Sequence, residues 1–571
     1  MANMFFDIGI IVIIASVVGF FARLLKQPVI PAYILTGLLI GPFGIGLVTD
    51  IETIKTLSEI GIAFLLFVVG LELDFRKLRN IGMIASVGGT IKTAILFVLG
   101  LIIAGFLGFT QREGIYIGLI IAFSSTMVVI KILSDKRELD TLHGRIIIGI
   151  LLMEDILAIL ALSSLSTLGT TPILLIFAIL KGLSIFVFAI LASRYFFPSV
   201  FKIAAKSQEM LFLMAITVCF FFALLSSYLG FSIIIGAFVA GVALGNLPYN
   251  LEIVGRIKPL RDFFATIFFV SLGMELAVNN MNGLVAPLLI MTGIIVILKP
   301  IIVMSLGRLF RYTKRTSFLT AISLAQISEF SLIIVAQGLA LGHISQDIFS
   351  LTVLLAIITI SITSYFIKFD NQIYKFLSKP LGIFEPKKSK KELEYLPQTE
   401  YDVILVGYDR IGYSISKTLK KIGKQMMVVD FNPDLIRKLI KEKIPCLYGD
   451  IGDIDIIERL DFRKVDIVIS TVPNEEENIL LIKKLKEVNH KASIFVTAYH
   501  VDEALNLYDI GADYVILPHF LGGDHVSLML EDVTGDINKL VTTKVKHIEE
   551  LKERKELGHE HPKQNHQHKE R

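Results

Sequence analysis

Cysteine is nearly absent from this chain of 571 residues, which contains only Cys219 and Cys446. One lies in an apolar segment and the other in a charged segment, so no disulfide framework holds the protein together. Charged residues are also scarce, at 19% against 54% hydrophobic residues. The net charge of +4 gives no reason to expect a nucleic-acid partner.

Two further absences divide the chain. Residues 1–7 lack the basic flank of a cleavable signal, so we expect the first apolar span to be retained. No span of membrane length remains after Lys387, although the mean hydropathy of the whole chain is +0.69. We therefore predict a transmembrane domain over residues 1–380, a linker over 381–399 and an α/β domain over 400–535. Residues 536–571 form a charged tail containing histidine, which we expect to be solvated.

The apolar part contains enough hydrophobic segments to cross a bilayer many times. A window of about 20 residues, the length of a transmembrane helix, predicts thirteen spans. Their centres lie near residues 16, 38, 65, 96, 124, 157, 184, 218, 239, 269, 296, 329 and 358. If the N-terminus is outside, the inner loops carry 19 Lys and Arg, whereas the outer loops carry only Lys55 and Arg112. The positive-inside rule thus predicts a cell-membrane protein with a cytoplasmic C-terminal domain.

Glu154 and Asp155 are adjacent in the middle of one of these spans. A charge at the bilayer centre costs at least about 2.5 kcal/mol, so acids at this depth are by default sites for ions or protons. Two neighbouring carboxylates also repel each other, which favours the binding of a cation or a proton. The pair predicts exchange of a cation for protons.

An internal repeat predicts how the spans are arranged. Residues 64–73 resemble residues 267–276, seven spans later. An odd offset places the two copies in opposite directions, as in the inverted repeats of secondary transporters. The same offset pairs the span containing Ser124, Ser125 and Thr126 with the span containing Glu329. Polar clusters half-way across predict unwound helices, in which Glu329 neutralises positive helix ends and Thr126 supplies an uncharged oxygen.

Lysines inside the spans need partners. Glu154 and Lys299 each lie nine residues from a basic residue at the inner end of their spans, which places both roughly 13 Å deep. We therefore expect Lys299 to pair with Glu154. For Lys92, which lies nearer the start of its span, we expect the side chain to reach towards the membrane surface.

The residues at 124–126, Met153-Glu154-Asp155, Leu298-Lys299-Pro300 and 326–330 together resemble the monovalent cation:proton antiporter superfamily, in particular its Kef-type branch. The resemblance implies a homodimer that moves ions by an elevator mechanism, with Asp155 as the ion-binding aspartate. It implies that Lys299 matches the lysine that pairs with the preceding acid in electrogenic members. Glu154 departs from the residues usual at its position, so the ion can be potassium or sodium.

Strands and helices alternate in the C-terminal part, which predicts a doubly wound parallel sheet. Its first turn contains Gly407 and Gly412, with Arg410 between them and Asp430 at the end of the second strand. A dinucleotide fingerprint has glycine at the position of Asp409, where a carboxylate crowds and repels a pyrophosphate.

The α/β domain resembles the RCK, or TrkA N-terminal, module. The resemblance implies a nucleotide site that includes Asp430, Asp450 and Thr471, and the aspartate at 409 favours AMP over NAD. A scaffold used only for dimerisation is the alternative for this domain. For the whole protein, a ligand-gated potassium channel has no need of a titrating carboxylate pair. An oxidoreductase would need a second catalytic domain or flavin motif, and we expect no enzyme activity.

Overall fold

The computed structural model describes residues 2–533 apart from residues 26, 49–50, 73–83, 137, 140, 166–183, 230, 277–282, 386–393 and 398–399. The chain divides into two compact units, Met1–Pro386 and Lys387–Arg571. The predicted tail and much of the predicted linker lie outside the described residues.

All the regular secondary structure among the described residues of the first unit is helical. Its helices are α1 Ala2–Leu24, α2 Val29–Ile40, α3 Ile51–Glu72, α4 Gly89–Phe106, α5 Gln111–Ala122, α6 Thr126–Asp135, α7 Leu142–Leu165, α8 Ser184–Ala204, α9 Gln208–Tyr228, α10 Ile233–Gly245, α11 Asn250–Met274, α12 Val285–Leu309, α13 Lys314–Ser323, α14 Glu329–Ala340, α15 Gln346–Lys368 and α16 Asp370–Leu377. Single π-helical turns precede α4 and interrupt α8 and α12.

These helices account for the predicted spans. Nine helical segments of the described part are long and apolar enough to cross a membrane, and α2, α10 and α14 are shorter apolar helices. Each of the thirteen predicted centres falls within a helix or in the break between α5 and α6. The polytopic helical fold is therefore confirmed.

The repeated segments make equivalent contacts. A side chain on Gly70 of α3 would collide with the backbone of α10 at Phe238, and one on Gly273 of α11 would collide with the backbone of α2 at Ile34. Predicted spans three and nine (α3 and α10) therefore meet in the same way as spans ten and two (α11 and α2). Each member of the first pair is seven spans from its counterpart in the second. Glycine at each crossing lets the two backbones touch, as small residues do in membrane bundles. The contacts agree with the inverted repeat predicted from the sequence.

The second unit is an α/β domain. Its strands are β1 Glu394–Tyr395, β2 Val403–Val406, β3 Met426–Asp430, β4 Cys446–Tyr448, β5 Ile467–Ser470, β6 Ser493–Thr497 and β7 Tyr514–Ile516. Its helices are α17 Arg410–Lys421, α18 Pro433–Lys441, α19 Ile454–Ile457, α20 Glu475–Val488, α21 Val501–Ile510 and α22 Pro518–Val533. The strand order is β1-β4-β3-β2-β5-β6-β7, parallel except for β1.

Each face of this sheet buries a core. Ile404 and Val406 of β2 contribute to the core that contains α20 and α21, whereas Val403 and Leu405 contribute to the core beside α18. Continuous apolar strands are typical of parallel sheets covered on both faces. The strand order reverses between β2 and β5, so ligands are expected outside the carboxyl ends of these two strands. The doubly wound sheet predicted from the sequence is confirmed.

Candidate ion site at the crossed helices

Two interrupted spans cross at the centre of the first unit. The chain is extended at Phe123 and Ser125 between α5 and α6, and at Ser328 before α14. The hydroxyl of Ser125 accepts a hydrogen bond from Val128 N at 3.3 Å, and that of Ser328 accepts one from Phe330 N at 3.1 Å. Both serines therefore cap the helices that follow them, so that each helix begins at the break with one of its first N–H groups satisfied. The two breaks predicted from their polar clusters are present.

Asp155 of α7 faces the first break. Its two carboxylate oxygens lie 3.0 and 3.1 Å from the hydroxyl of Thr126, which donates to them. No other hydrogen bond to this carboxylate occurs among the described residues, although only 5% of Asp155 is exposed. A carboxylate has about four lone-pair sites, so most of its capacity to accept a proton or bind a cation is unused.

The second acid, Glu154, has a different partner from the one predicted. It forms an ion pair with Lys92 of α4, and both side chains are 1% exposed. Its other oxygen accepts from Ser124 N at 2.6 Å, and Lys92 also donates to the Ser124 hydroxyl at 3.3 Å. The prediction that Lys92 reaches the membrane surface is wrong. Gly89, one turn before Lys92, faces Ile150 and Met153 of α7, so Lys92 lies on the face of α4 that packs on α7, the helix that carries Glu154.

Lys299 of α12 does not pair with Glu154 in the structure, so the pair predicted from their equal depth is wrong. Its ammonium donates to the backbone carbonyls of Ile121 at 3.2 Å, Phe123 at 2.9 Å and Gln326 at 2.8 Å. These carbonyls belong to the end of α5 and to the second break, where helical partners are missing. A cation there neutralises the negative ends of the interrupted helices. Lys299 therefore fastens the crossing, while Lys92 balances the charge of Glu154.

Glu329 lies at the opposite, positive helix ends. It is the first residue of α14, and one of its carboxylate oxygens accepts from Met127 N in the first turn of α6 at 3.2 Å. The carboxylate thus faces the N-termini of both α6 and α14, as predicted. Its second oxygen is buried and has no hydrogen-bond partner among the described residues, and the same holds for the side-chain oxygen of Gln326. Burying an acceptor without a donor costs free energy, so a donor or a cation beside either oxygen would be stabilising.

The carboxyl ends of the strands in the second unit bring together the predicted nucleotide residues. Gly407, after β2, has a φ of 84°, and a side chain on it would collide with the hydroxyl of Thr471. Thr471 follows β5, so the two residues flank the point at which strand order reverses. The Asp430 carboxylate accepts from Tyr408 N and from Asn432 N, both at 2.8 Å, which fixes its position beside the first turn.

The other predicted residues of this cleft differ in how they are placed. Gly412 packs directly against the Gly407 carbonyl, the role of the third glycine in a dinucleotide fingerprint. Asp409 immediately precedes α17, at its N-cap position, and has an exposed side chain and an ordinary negative φ of −68°. Asp450 is buried, and its carboxylate accepts from Gly452 N at 2.9 Å. The side chain of Arg410 lies outside the part that the structure describes.

Comparison with known proteins gives the family. Residues 11–369 match the family described as "Sodium/hydrogen exchanger, transmembrane", and residues 403–518 match the TrkA-N domain. The chain belongs to the sodium/hydrogen exchanger family. The Kef-type combination of an antiporter domain with a C-terminal TrkA-N domain is likewise confirmed.

Several individual proteins are similar to this chain. The chain is 32% identical over 342 residues to "K(+) efflux antiporter 5" of Arabidopsis thaliana, covering 58% of this chain and 60% of that protein. It is 26% identical over 489 residues to the "Glutathione-regulated potassium-efflux system protein KefC" of Escherichia fergusonii, covering 84% of this chain and 77% of that one. The sodium proton antiporter MjNhaP1 from Methanocaldococcus jannaschii superposes with a TM-score of 0.48 at 17% identity, covering 67% of this chain and 99% of that chain.

A second charged cluster of this exchanger lies outside its membrane spans. Lys136, after α6, contacts Glu138 at 3.0 Å and Asp370 at the start of α16 at 2.6 Å. Burial alone raises the pKa of Glu138, but the hydrogen bond from His143 and the charge of Lys136 outweigh burial and lower it. At Asp370 burial prevails over the attraction of Lys136, so the pKa of that carboxyl is raised. The cluster joins the end of the broken span α5–α6 to α16, the last helix of the membrane unit.

Lys92 is the functional residue that sequence reasoning misplaced. Its apolar setting and its position near a span start suit a lysine at the membrane surface. The available signal was charge balance. Among the described helices of the unit, the buried charges include the acids Glu154, Asp155 and Glu329 and the lysines Lys92 and Lys299, besides Asp7 of α1 and Arg261 of α11. Because Lys299 is engaged by backbone carbonyls, Lys92 is the lysine left to pair with Glu154.

Proposed function

We propose that this exchanger moves a monovalent cation, potassium, across the cell membrane in exchange for protons. The observation that carries the proposal is the Asp155 carboxylate, which is buried at the crossing and, among the described residues, accepts a hydrogen bond only from the Thr126 hydroxyl. The names of the relatives, a K(+) efflux antiporter and a potassium-efflux system protein, favour potassium over sodium. The chain spans 60% of the length of the plant relative, so substrate and activity are assigned here by proposal.

The geometry supports competition at one carboxylate. A proton or a dehydrated cation satisfies the unused acceptor sites of Asp155, and the two exclude each other because they occupy the same oxygens. Thr126 supplies an uncharged oxygen beside the carboxylate. Glu154 is held by Lys92 and Ser124, so it modulates the site and does not act as a primary ligand.

We further propose an elevator mechanism in a homodimer. Lys299 binds carbonyls of both interrupted spans, and Ser331 of α14 donates to the Ile120 carbonyl of α5 at 3.2 Å. These contacts tie the two broken spans into one body that can move without losing its buried hydrogen bonds. We also propose that the N-terminus lies outside the cell and the TrkA-N domain in the cytoplasm, as the basic loops predict.

The assay is dissipation of a pH gradient in proteoliposomes by potassium, sodium, lithium and rubidium in turn. Asp155→Asn should abolish cation-driven proton movement, because an amide cannot exchange a proton for a cation. Asp135→Asn is the matched control, since Asp135 lies at an exposed position at the end of α6. Normal transport by Asp155→Asn would show that the site is assigned wrongly. A faster response to sodium than to potassium would overturn the choice of ion.

We propose that an adenine mononucleotide binds the TrkA-N domain and changes the transport rate. The Asp430 carboxylate lies beside the turn after β2, and Asp450 follows β4, the strand next to β3 on the same side of the sheet, where ribose and base are held in doubly wound folds. Asp409 occupies the position from which backbone normally approaches a pyrophosphate, so AMP suits this turn better than NAD. Such a ligand alters transport only if it binds the active and inactive states unequally.

Titration calorimetry on the full-length exchanger should detect AMP more readily than NAD, and Asp430→Ala should weaken that binding. Asp466→Ala is the control, since this exposed aspartate lies at the other end of the sheet, before β5. Truncation after Phe384 should change the maximal transport rate and leave the apparent cation affinity intact. Tight NAD binding that disappears in Asp430→Ala would contradict the argument from Asp409. We propose no catalytic turnover of the nucleotide, and unchanged NADH absorbance during transport is the check.

A further inference from the structure

The second break, residues 324–328 between α13 and α14, is held by more than one element. Lys299 of α12 donates to the Gln326 carbonyl at 2.8 Å, as described above. The helix α15 also reaches this break, through Thr359 and Thr363. These two residues are four positions apart, so they lie on one face of α15, and both are 0% exposed.

Each threonine satisfies one backbone group of the break. The hydroxyl of Thr363 donates to the Ala325 carbonyl at 2.7 Å, and the hydroxyl of Thr359 accepts from Ile327 N at 3.3 Å. Thr359 uses its own proton for the Leu355 carbonyl at 2.7 Å, which leaves the lone pairs of its oxygen for Ile327. A buried backbone group without a partner costs about 1–3 kcal/mol, so both hydroxyls stabilise the interrupted backbone.

The hydroxyl of Thr363 differs in its use from others in the same helix. A threonine inside a helix ordinarily donates to the carbonyl four residues earlier. Thr352, which is also 0% exposed, does so to Ile348 at 2.8 Å. A hydroxyl has a single proton to donate, and Thr363 gives it to Ala325, in a different segment of the chain. This bond therefore fixes the break relative to α15.

The pinned backbone leads directly to the ion site. Ile327 lies two residues before Glu329, the first residue of α14. The Glu329 carboxylate accepts from Met127 N at 3.2 Å, and the preceding residue, Thr126, donates to Asp155 at 3.0 Å. The second break is thus connected to the ion-site carboxylate through Glu329 and the first turn of α6. A shift of the break would change the surroundings of Asp155.

We infer that Thr359 and Thr363 are positioning residues for cation binding. Their hydroxyls hold the second break against α15 and thereby keep Glu329 and Thr126 in place beside Asp155. The inference rests on the proposed antiport at Asp155. Since the two threonines act on the geometry of the site, their loss should weaken cation binding more than it slows the transport step.

The test measures proton movement by the full-length exchanger in proteoliposomes, over a range of concentrations of the cation that drives wild type best. Thr359→Val and Thr363→Val keep the shape of the side chain and remove the hydroxyl. We expect each to raise the apparent cation KM about three- to tenfold, the equivalent of one lost hydrogen bond, with the maximal rate retained. Thr359→Ser and Thr363→Ser keep the hydroxyl and should restore the wild-type KM. Thr352→Val is the matched control and should have the wild-type KM, since the Thr352 hydroxyl is satisfied within its own helix.

Three results would overturn this role. One is a wild-type KM in both valine variants. The second is an equal rise of KM in the serine and valine variants, which would assign the effect to packing. The third is loss of folded exchanger in both valine variants, measured by thermal unfolding in detergent, or a lower maximal rate with an unchanged KM, because the hydroxyls would then serve the fold alone. Failure of the antiport proposal is distinguished from all three because it appears as wild-type transport by Asp155→Asn.

Discussion

The Lys92–Glu154 pair offers the sharpest test of the structural assignment. Lys92→Met leaves Glu154 buried beside an apolar side chain, with the Ser124 N–H as its remaining partner. Removing one partner of a buried ion pair costs about 3 to 5 kcal/mol. Replacing both partners by uncharged groups of similar shape costs much less, because no unpaired charge remains. The double variant Lys92→Met/Glu154→Gln should therefore be more stable than Lys92→Met alone.

The measurement is a double-mutant cycle on the purified exchanger, with unfolding followed in detergent. We expect a coupling free energy of roughly 2 kcal/mol or more between Lys92 and Glu154, at the upper end of values for residues in contact. The matched control is Lys131→Met/Asp135→Asn, because Lys131 and Asp135 form an i,i+4 pair at 2.7 Å with exposures of 71% and 61%. An exposed helical pair contributes about 0.3–0.5 kcal/mol.

Additive effects of Lys92→Met and Glu154→Gln would refute the pairing, since residues without a shared interaction add within about 0.5 kcal/mol. The same cycle with Lys299→Met in place of Lys92→Met separates the structural pair from the one predicted from depth. The Lys299 cycle should show the smaller coupling, because Lys299 donates to carbonyls and not to Glu154.

Three further outcomes follow from the structure. Lys299→Met should destabilise the exchanger by several kcal/mol, since each of three buried carbonyls left unpaired costs about 1–3 kcal/mol, and thermal unfolding in detergent measures the loss. Burial raises the pKa of Glu138, but the hydrogen bond from His143 and the charge of Lys136 prevail and lower it. The ionised carboxylate therefore contributes fully to folding stability above the usual pKa of about 4.3, and this contribution disappears as the pH falls towards the lowered pKa. Wild type and Glu138→Gln should therefore differ most in unfolding temperature near neutral pH and converge in acid, and a constant difference would contradict the assignment. Gly407→Ala should destabilise the TrkA-N domain more than Gly423→Ala, because both have positive φ but only Gly407 would press a side chain onto Thr471, and equal losses would argue against that close contact.

The sequence by itself determined the architecture. Hydropathy alone placed every predicted centre on a described helix or at the break between α5 and α6, because a helix in lipid must present apolar side chains along its length. Polar clusters at Ser125 and Glu329 marked both breaks, since unwound backbone at that depth needs capping groups and counter-charges. Alternating strands and helices with Gly407 and Gly412 predicted the doubly wound sheet, because the tight first turn requires glycine there.

Only the tertiary structure decided which charges meet. Depth along a helix follows from counting residues, but the direction of a side chain depends on how the helix is rotated against its neighbours, and hydropathy does not fix that rotation in a span that is apolar all round. Lys299 and Glu154 lie at similar calculated depths, yet Lys92, on the face of α4 that packs on α7, forms the pair with the acid. Lys299 was left to the carbonyls of the two breaks, which come together only when spans far apart in the chain cross.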